Sequence, residues 1–449
     1  MTTHLDPNIT RRQFLKLALA TPALALAACG ATPAAAPTDP AATTALSGEL
    51  QQIKSLMWST GPVLDANFKK RAEMFNAAHA GKYEMDLQIV PWEQYWPKID
   101  LAFASKQPFD VYAWDVQAYG HYKNDLLRNL QPDIALVPSL SDADQYPLPL
   151  YDVWRFDGAD LYAIPDNLQM LALYYNKDVF DKAGVAYPDE NWTWDDALAA
   201  ARQLMVTEGD KTTQWGLDIG DLGAWWGAQT IAWAMGGAFV DKIVEPTKFQ
   251  VSDPANIQAL QFIQDLMHKE KLAPDSVARQ AAAQDVNIFQ TGKVGMYPGG
   301  TWFISSLADV NFKWDMAPMP KWQDTRALAF WFGGWVVAKN SKSPEAAAAY
   351  ATWSATEYQA TLAETKDWIP IQRTARESPT MAQGMPAGFT KVMATLPDAR
   401  LGDLYHANGQ QIIGEVLFPT LEQLWNNKIT PEAAAKEIDE KANALLAKA

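Results

Sequence analysis

The sequence predicts an α/β protein of two or three domain-sized units, opening with a lobe built on a mostly parallel sheet. Three observations carry this. Strand-like and helix-like segments alternate over about 100 residues from Lys54, the pattern of βαβ units. About 400 residues follow an N-terminal stretch too poor in large apolar side chains to build a core. Helix starts are marked by a capping residue followed by proline at Asp253-Pro254, Ser343-Pro344 and Thr430-Pro431, where the fixed φ of proline suits the first helical position.

The elements can be justified in order. Lys54–Trp58 is a short apolar run stopped by Ser59-Thr60-Gly61-Pro62, a strand and its loop. Asn67–Ala78 places Phe68, Ala72 and Phe75 on one helical face. Tyr83–Val90 alternates as a strand; Pro91–Tyr95 reads as a loop into another helix, and Phe109–Ala113 as a third strand. In parallel sheets ligands gather at the carboxyl ends of strands. Trp58-Ser59, Trp92-Glu93 and Trp114-Asp115 all fall there, each setting an aromatic beside a polar group. Further on, Asp157-Gly158 predicts a hairpin, Met170–Tyr175 a strand, and Lys177–Ala183 a helix ended by Gly184. Thr193 with Asp196 three residues on makes a near capping box. Ile257, Leu260, Ile263 and Met267 form the buried face of the helix after Pro254.

The N-terminus carries a different message. Arg11 and Arg12 precede an apolar run, Leu17–Leu26, and then small residues up to Cys29, the only cysteine. A positive start, a short apolar middle and a small-residue exit is the layout of a secretory signal. The run is shorter than the roughly 20 residues a spanning helix needs. Thr-Arg-Arg-Gln-Phe-Leu-Lys resembles the twin-arginine signal, and Leu26-Ala27-Ala28-Cys29 resembles the bacterial lipobox, in which the chain is cut before a lipidated cysteine. The alternative is a short helix with an inert buried thiol. The expected organisation is a signal over 1–28 and, over 29–47, the lipidated Cys29 with a flexible Ala/Thr/Pro tether.

Composition excludes several classes. Without residues 1–28 the chain has 34 basic and 51 acidic side chains, a net of −17, which argues against a nucleic-acid partner. A lone cysteine allows no intramolecular disulfide and no CxxC. The five histidines form no HExxH pair, so neither a metal site nor a cofactor is expected. Nineteen tryptophans and fifteen tyrosines exceed what a core commonly uses. Some are core; the rest suggest a pocket lined with flat faces.

The stretch from Asp157 onward resembles the family 1 extracellular solute-binding proteins, the sugar-binding components of ABC importers. The matching pieces are Asp-Gly-x-x-x-Tyr-x-x-Pro at Asp157–Pro165, Tyr-Tyr-Asn-Lys-Asp-x-Phe at Tyr174–Phe180, Ala183-Gly184-Val185 and Trp192–Asp196. They continue in order with Phe289–Met296, Gly299-Gly300-Thr301-Trp302, Pro318-Met319-Pro320, Gly333-Gly334-Trp335 and Ser343–Ala347.

The resemblance implies a two-lobe periplasmic-binding-protein-like fold of type II, the lobes joined by a multi-strand hinge. Chain crossings are expected near Ile164–Asn167, Phe330–Gly333 and Lys366–Asp367. The first lobe would combine 48–165 with 333–366, the second 166–332 with 367–449. It further implies a lipid-anchored, extracytoplasmic monomer that captures a mono- or oligosaccharide by hinge closure and delivers it to permease subunits. By position in the family pattern, ligand contacts are expected from Trp58, Glu93, Trp114 and Asp115 of the first lobe. Gln169, Trp225, Trp226, Gly300, Trp302 and Asp367 come from the second, with Trp331 and Trp335 near the hinge. Against each stands a plainer reading: core burial for Trp225-Trp226, a solvated loop carboxylate for Asp115 and Glu93, a bond to neighbours for Gln169. Maltose-binding members carry an aromatic pair where this chain has Ala407–Gln411, so Asn408 or Gln410 would have to reach ligand instead. Two other functions stay open. A polyamine would suit the acidic balance and aromatic rings, whereas a phosphate ester would want arginine. A glycosidase would need two facing carboxylates about 5–10 Å apart, a pair that sequence spacing does not supply.

Overall fold

The computed structural model describes residues 49–59, 61–146, 153–156, 158, 160–283 and 286–448. The expected signal, Cys29 and the expected tether lie outside the described residues. Eleven strands among them form the framework: β1 Gln51–Ser59, β2 Tyr83–Pro91, β3 Val111–Ala113, β4 Ile164–Asn176, β5 Val206–Glu208, β6 Lys211–Leu217, β7 Val294–Gly300, β8 Trp314–Ala317, β9 Leu328–Val337, β10 Ile369–Pro370 and β11 Ala399–Leu401. Their main order is β2-β1-β3-β9-β4-β7-β6-β5.

β1 pairs in parallel with β2 and with β3, and helices Pro62–Ala78 and Trp92–Ala104 make the two crossovers that parallel neighbours require. The predicted apolar stripe Phe68, Ala72 and Phe75 is buried. That helix starts earlier than the periodicity suggested, at Pro62, where proline costs no hydrogen bond. The expected loop at Pro91–Tyr95 is already helix from Trp92, and β3 is only three residues long.

Thirteen consecutive buried residues make β4 the spine of the molecule. Its first half, Ile164 to Met170, runs antiparallel to β9; its second half, Leu171 to Asn176, pairs with β7 and β8. The pairing with β9 slips between Pro165 and Asn167, where proline offers no N–H to the ladder. β10 adds the pairs Ile369–Leu168 and Pro370–Asn167. Around this point lies a buried polar network. Asp166 accepts from Arg71, from Trp335 Nε1 at 2.8 Å and from Ser354 Oγ at 2.6 Å. The Arg71 guanidinium lies 4.5 Å from the Tyr358 ring centre. One turn earlier on the same helix, Asn67 Nδ2 donates to Asp367 at 2.6 Å. One helical face thus binds both the start of β4 and the segment before β10.

Local signals were read unevenly. Thr193 and Asp196 make both capping-box bonds, and Gly184 ends its helix at φ 67°. Thr430 accepts from Ala433 N–H at 3.3 Å. Ser343 instead donates to Gln52 C=O at 2.7 Å, and Asp253 makes no side-chain cap bond. The hairpin expected at Asp157-Gly158 falls partly outside the described residues. Asp157 lies outside the described residues; before it Val153–Arg155 is a 3₁₀ turn, and Gly158 donates back to Arg155 C=O at 2.6 Å.

Candidate functional site

Three strand ends, the β4–β9 ladder and the segment before β10 bring aromatic rings to one region. Gln169 on β4 stands opposite Trp331 on β9, so both side chains share a face of the sheet. Trp331 meets Trp302 edge to face at 5.0 Å and Trp226 at 6.1 Å. Phe418, 42% exposed, closes this group 5.8 Å from Trp226. It follows a π-helical turn, Ile413–Leu417, a local widening often found at functional sites. Trp302 lies across Gly300: a Cβ there would sit 2.2 Å from the indole. Gly402 likewise leaves room for the Trp331 ring, 2.5 Å from where its Cβ would be.

Polar groups are set among these rings. Gln169 Oε1 accepts from Thr301 Oγ1 at 2.6 Å, and its buried Nε2 has no acceptor. Trp226 Nε1 is also buried without a partner. Trp331 Nε1 donates to Asp403 Oδ1 at 3.0 Å, and Tyr405 bonds Asp403 too. Asp115, at the end of β3, accepts the Val116 N–H at 2.5 Å. Burial pushes its carboxyl up to about 6, against that bond. Asp403 rises well above the usual carboxylate range, first through burial and then through the nearby Asp115 charge. Desolvation disfavours the ionised form of both. Asp221, which accepts the Gly300 N–H at 2.8 Å, is pushed up to about 6 by burial.

A second ring group borders the same strand. Trp58 packs edge to face on Trp92 at 5.3 Å and on Tyr95 at 5.2 Å, with Trp368 at 6.4 Å. Trp368 immediately precedes the Ile369–Leu168 pair, so this group reaches β4 beside Gln169. Tyr95 feels the Asp115 charge, which sets that carboxylate between the two ring groups.

Of the residues expected from sequence, the structure gathers Trp226, Gly300, Trp302, Trp331 and Gln169 in the first group. Trp58 lies in the second, with Asp367 held by Asn67 and Glu93 exposed on the first turn of its helix. Asp115 stands between them. Trp114, Trp225 and Trp335 are each 1% exposed. Trp114 stacks on Phe156 at 5.7 Å and Tyr405 at 6.4 Å, while Trp335 belongs to the Asp166 network. Asn408 gives its amide to Leu445 C=O at 2.8 Å.

Asp403, Tyr405, Phe418 and Trp368 join these groups without having been singled out, and Trp92, noted at its strand end, packs on Trp58. Aromatic side chains flank Ala407–Gln411 on either side, Tyr405 buried against Trp114 and Phe418 exposed beside Trp226. Asp403 and Tyr405 follow β11, whose parallel pairing with β9 brings them beside Trp331; no local pattern signals that contact. A separate cavity of about 640 Å³, lined by Lys211, Trp215, His268, Lys271 and Lys293 among others, shares no residue with the ring groups.

Comparison with known proteins adds the following. The pattern that defines bacterial extracellular solute-binding proteins matches residues 58–360. A binding protein of Brucella abortus is 23% identical over 430 residues, 91% of this chain and 95% of that one. An arabinooligosaccharide-binding protein of Halalkalibacterium halodurans is 24% identical over 55% of this chain and 58% of its own length. Among solved structures, an ABC substrate-binding protein of Listeria monocytogenes in complex with cycloalternan superposes with a TM-score of 0.77 at 22% identity, covering 89% of this chain and all of the other. The fold is the two-lobe, type II architecture that the sequence led one to expect.

Proposed function

The chain belongs to the bacterial extracellular solute-binding proteins, and from that premise we propose that it captures a carbohydrate between two lobes and hands it to the permease of an ABC importer. The observation that carries this is the arrangement around Gln169. The Trp302 and Trp331 rings meet edge to face, 5.0 Å centre to centre, beside a buried amide donor without an acceptor. A sugar offers flat C–H patches to the rings and hydroxyl oxygens to the donor, and an unpaired buried donor penalises any ligand that cannot accept from it. The relatives named for arabinooligosaccharide and cycloalternan support the ligand class.

In this reading the first lobe is 48–165 with 333–366 and the second 166–332 with 367–449. Crossings at 164–167, 330–333 and 366–367 act as the hinge. Trp58, Asp115, Gln169, Trp226, Trp302 and Trp331 touch ligand, joined by Asp403 and Phe418. Ligand that touches both lobes favours the closed state. The protein works as a binding protein, not an enzyme. It is exported by the twin-arginine route and held at the membrane through lipid on Cys29, where two or more chains suffice without a spanning segment. Among the described residues no helix is long and apolar enough to cross a membrane.

A thermal-shift panel of mono- and oligosaccharides, polyamines and phosphate esters tests the reading. Ligand at 100 times its Kd stabilises by about 2.7 kcal/mol. A shift with a sugar class is expected; a shift with phosphate esters or polyamines alone would replace the carbohydrate.

A further inference from the structure

A buried carboxylate normally fills both of its oxygens. Asp110 shows this: Oδ2 accepts from Lys54 N–H at 2.8 Å, and Oδ1 accepts from Ser341 Oγ at 2.7 Å and Lys342 N–H at 2.9 Å. Asp65, on the first turn of helix Pro62–Ala78, does not. Its Oδ2 accepts from Ser59 Oγ at 2.8 Å, whereas its Oδ1 is buried and meets no donor. Among the described residues no other carboxylate oxygen is left in that condition.

This oxygen borders the second ring group. Ser59, which holds the other half of the carboxylate, directly follows Trp58. Phe68 lies three residues after Asp65, on the same helical face, and its ring meets that of Trp368 at 5.2 Å. Trp368 in turn lies 6.4 Å from Trp58. The carboxylate is thus tied on one side to Trp58 and on the other to Trp368. Both rings are half-buried, and Trp92, 5.3 Å from Trp58, is 38% exposed. Open ring surface and an unfilled acceptor come together there.

We propose that Asp65 is a specificity-determining residue of the carbohydrate site, its free oxygen accepting a hydroxyl of the sugar unit that rests on Trp58 and Trp368. This rests on the carbohydrate reading above and adds a contact to it. Gln169 Nε2 asks for an acceptor and Asp65 Oδ1 for a donor. A hydroxyl serves as either, so a polyhydroxylated ligand answers both. An O-methyl group in place of that hydroxyl leaves the carboxylate oxygen unfilled, at a cost in affinity.

Isothermal titration and ligand-free melting curves of the intact protein and of Asp65→Asn test this. The probes are glucose, galactose, mannose, xylose and arabinose, with maltose, cellobiose, mannobiose, xylobiose and arabinobiose. Asparagine keeps one oxygen for the Ser59 hydroxyl and turns an NH₂ toward the place of the free oxygen, where it cannot accept. Each sugar that binds the intact protein is expected to bind the variant about tenfold or more weakly. The ligand-free Tm should stay within about 3 °C, the scale of losing one charge from a first helical turn. Affinity kept within about threefold would overturn the proposal and leave carbohydrate capture standing. A larger fall in the ligand-free Tm would also overturn it, by assigning Asp65 to the fold instead. Silence from every sugar would end the proposal together with the carbohydrate reading.

Discussion

Replacing Asp115 by asparagine should stabilise the ligand-free protein at neutral pH and leave it unchanged in acid. In the unfolded chain this carboxyl titrates near 3.8, whereas in the folded protein burial raises it to about 6. Between those values the folded state binds the extra proton, so stability falls as pH rises from about 4 to about 6. Above that the full cost of holding a desolvated carboxylate is present. A displacement of that size corresponds to at most about 3 kcal/mol. The partly open edge of the site lowers it, to about 1–3 kcal/mol. For roughly 400 folded residues, about 2.1 cal/mol/K each gives an unfolding entropy near 0.8 kcal/mol/K, so Asp115→Asn should raise Tm by about 1–4 °C. Asparagine keeps an oxygen for the Val116 N–H, so the backbone bond does not confuse the result. Melting curves of both proteins from pH 4 to 8 give the answer. Coincident curves at pH 8, or an equal offset at pH 4 and pH 8, would refute the reasoning.

Other perturbations separate the parts of the structure. Arg71→Met leaves Asp166 buried without its cation and should cost about 3–5 kcal/mol in urea unfolding; a loss under 1 kcal/mol would mean that Trp335 and Ser354 suffice. Gly333→Ala would put a Cβ 2.3 Å from the Asn167 amide on the neighbouring strand. Overpacking there should cost about 1–3 kcal/mol, and unchanged stability would show that the β4–β9 ladder yields easily. Glu245 accepts from Tyr119 at 2.5 Å and Lys123 at 2.8 Å, contacts that join helix Ala118–Lys123 to the Val244–Glu245 segment paired with Tyr405. Glu245→Ala should weaken ligand affinity up to about fivefold, the scale of an exposed pair, mainly through faster dissociation; unchanged dissociation would remove this contact from the closure mechanism.

Much of this was written locally. The βαβ opening follows from alternation alone, and the buried stripe of helix Pro62–Ala78 from its spacing. The capping box at Thr193–Asp196 is a four-residue signal, formed within its own turn. The run Gly299-Gly300-Thr301-Trp302 stood out through the resemblance, but that the Trp302 ring lies over Gly300 is visible only in the structure. What stayed hidden depends on distant pairing. Asp403 and Tyr405 matter because β11 lies beside β9 some seventy residues earlier in the chain, a register that no short pattern encodes. Phe418 reaches Trp226 through a π-helical turn whose sequence, Ile413–Leu417, reads as ordinary helix. The fates of the tryptophans were legible only in part: Trp335 sits next to a glycine pair just as Trp302 does, yet its indole bonds Asp166 in the core.

Hydrogen exchange with and without a saturating sugar identified in the thermal panel tests the central claim most directly. The account predicts slowed exchange in five segments together: 110–120, 165–172, 296–304, 328–335 and 400–408. Protection confined to the walls of the Lys211–Lys293 cavity, with those five segments unchanged, would contradict it.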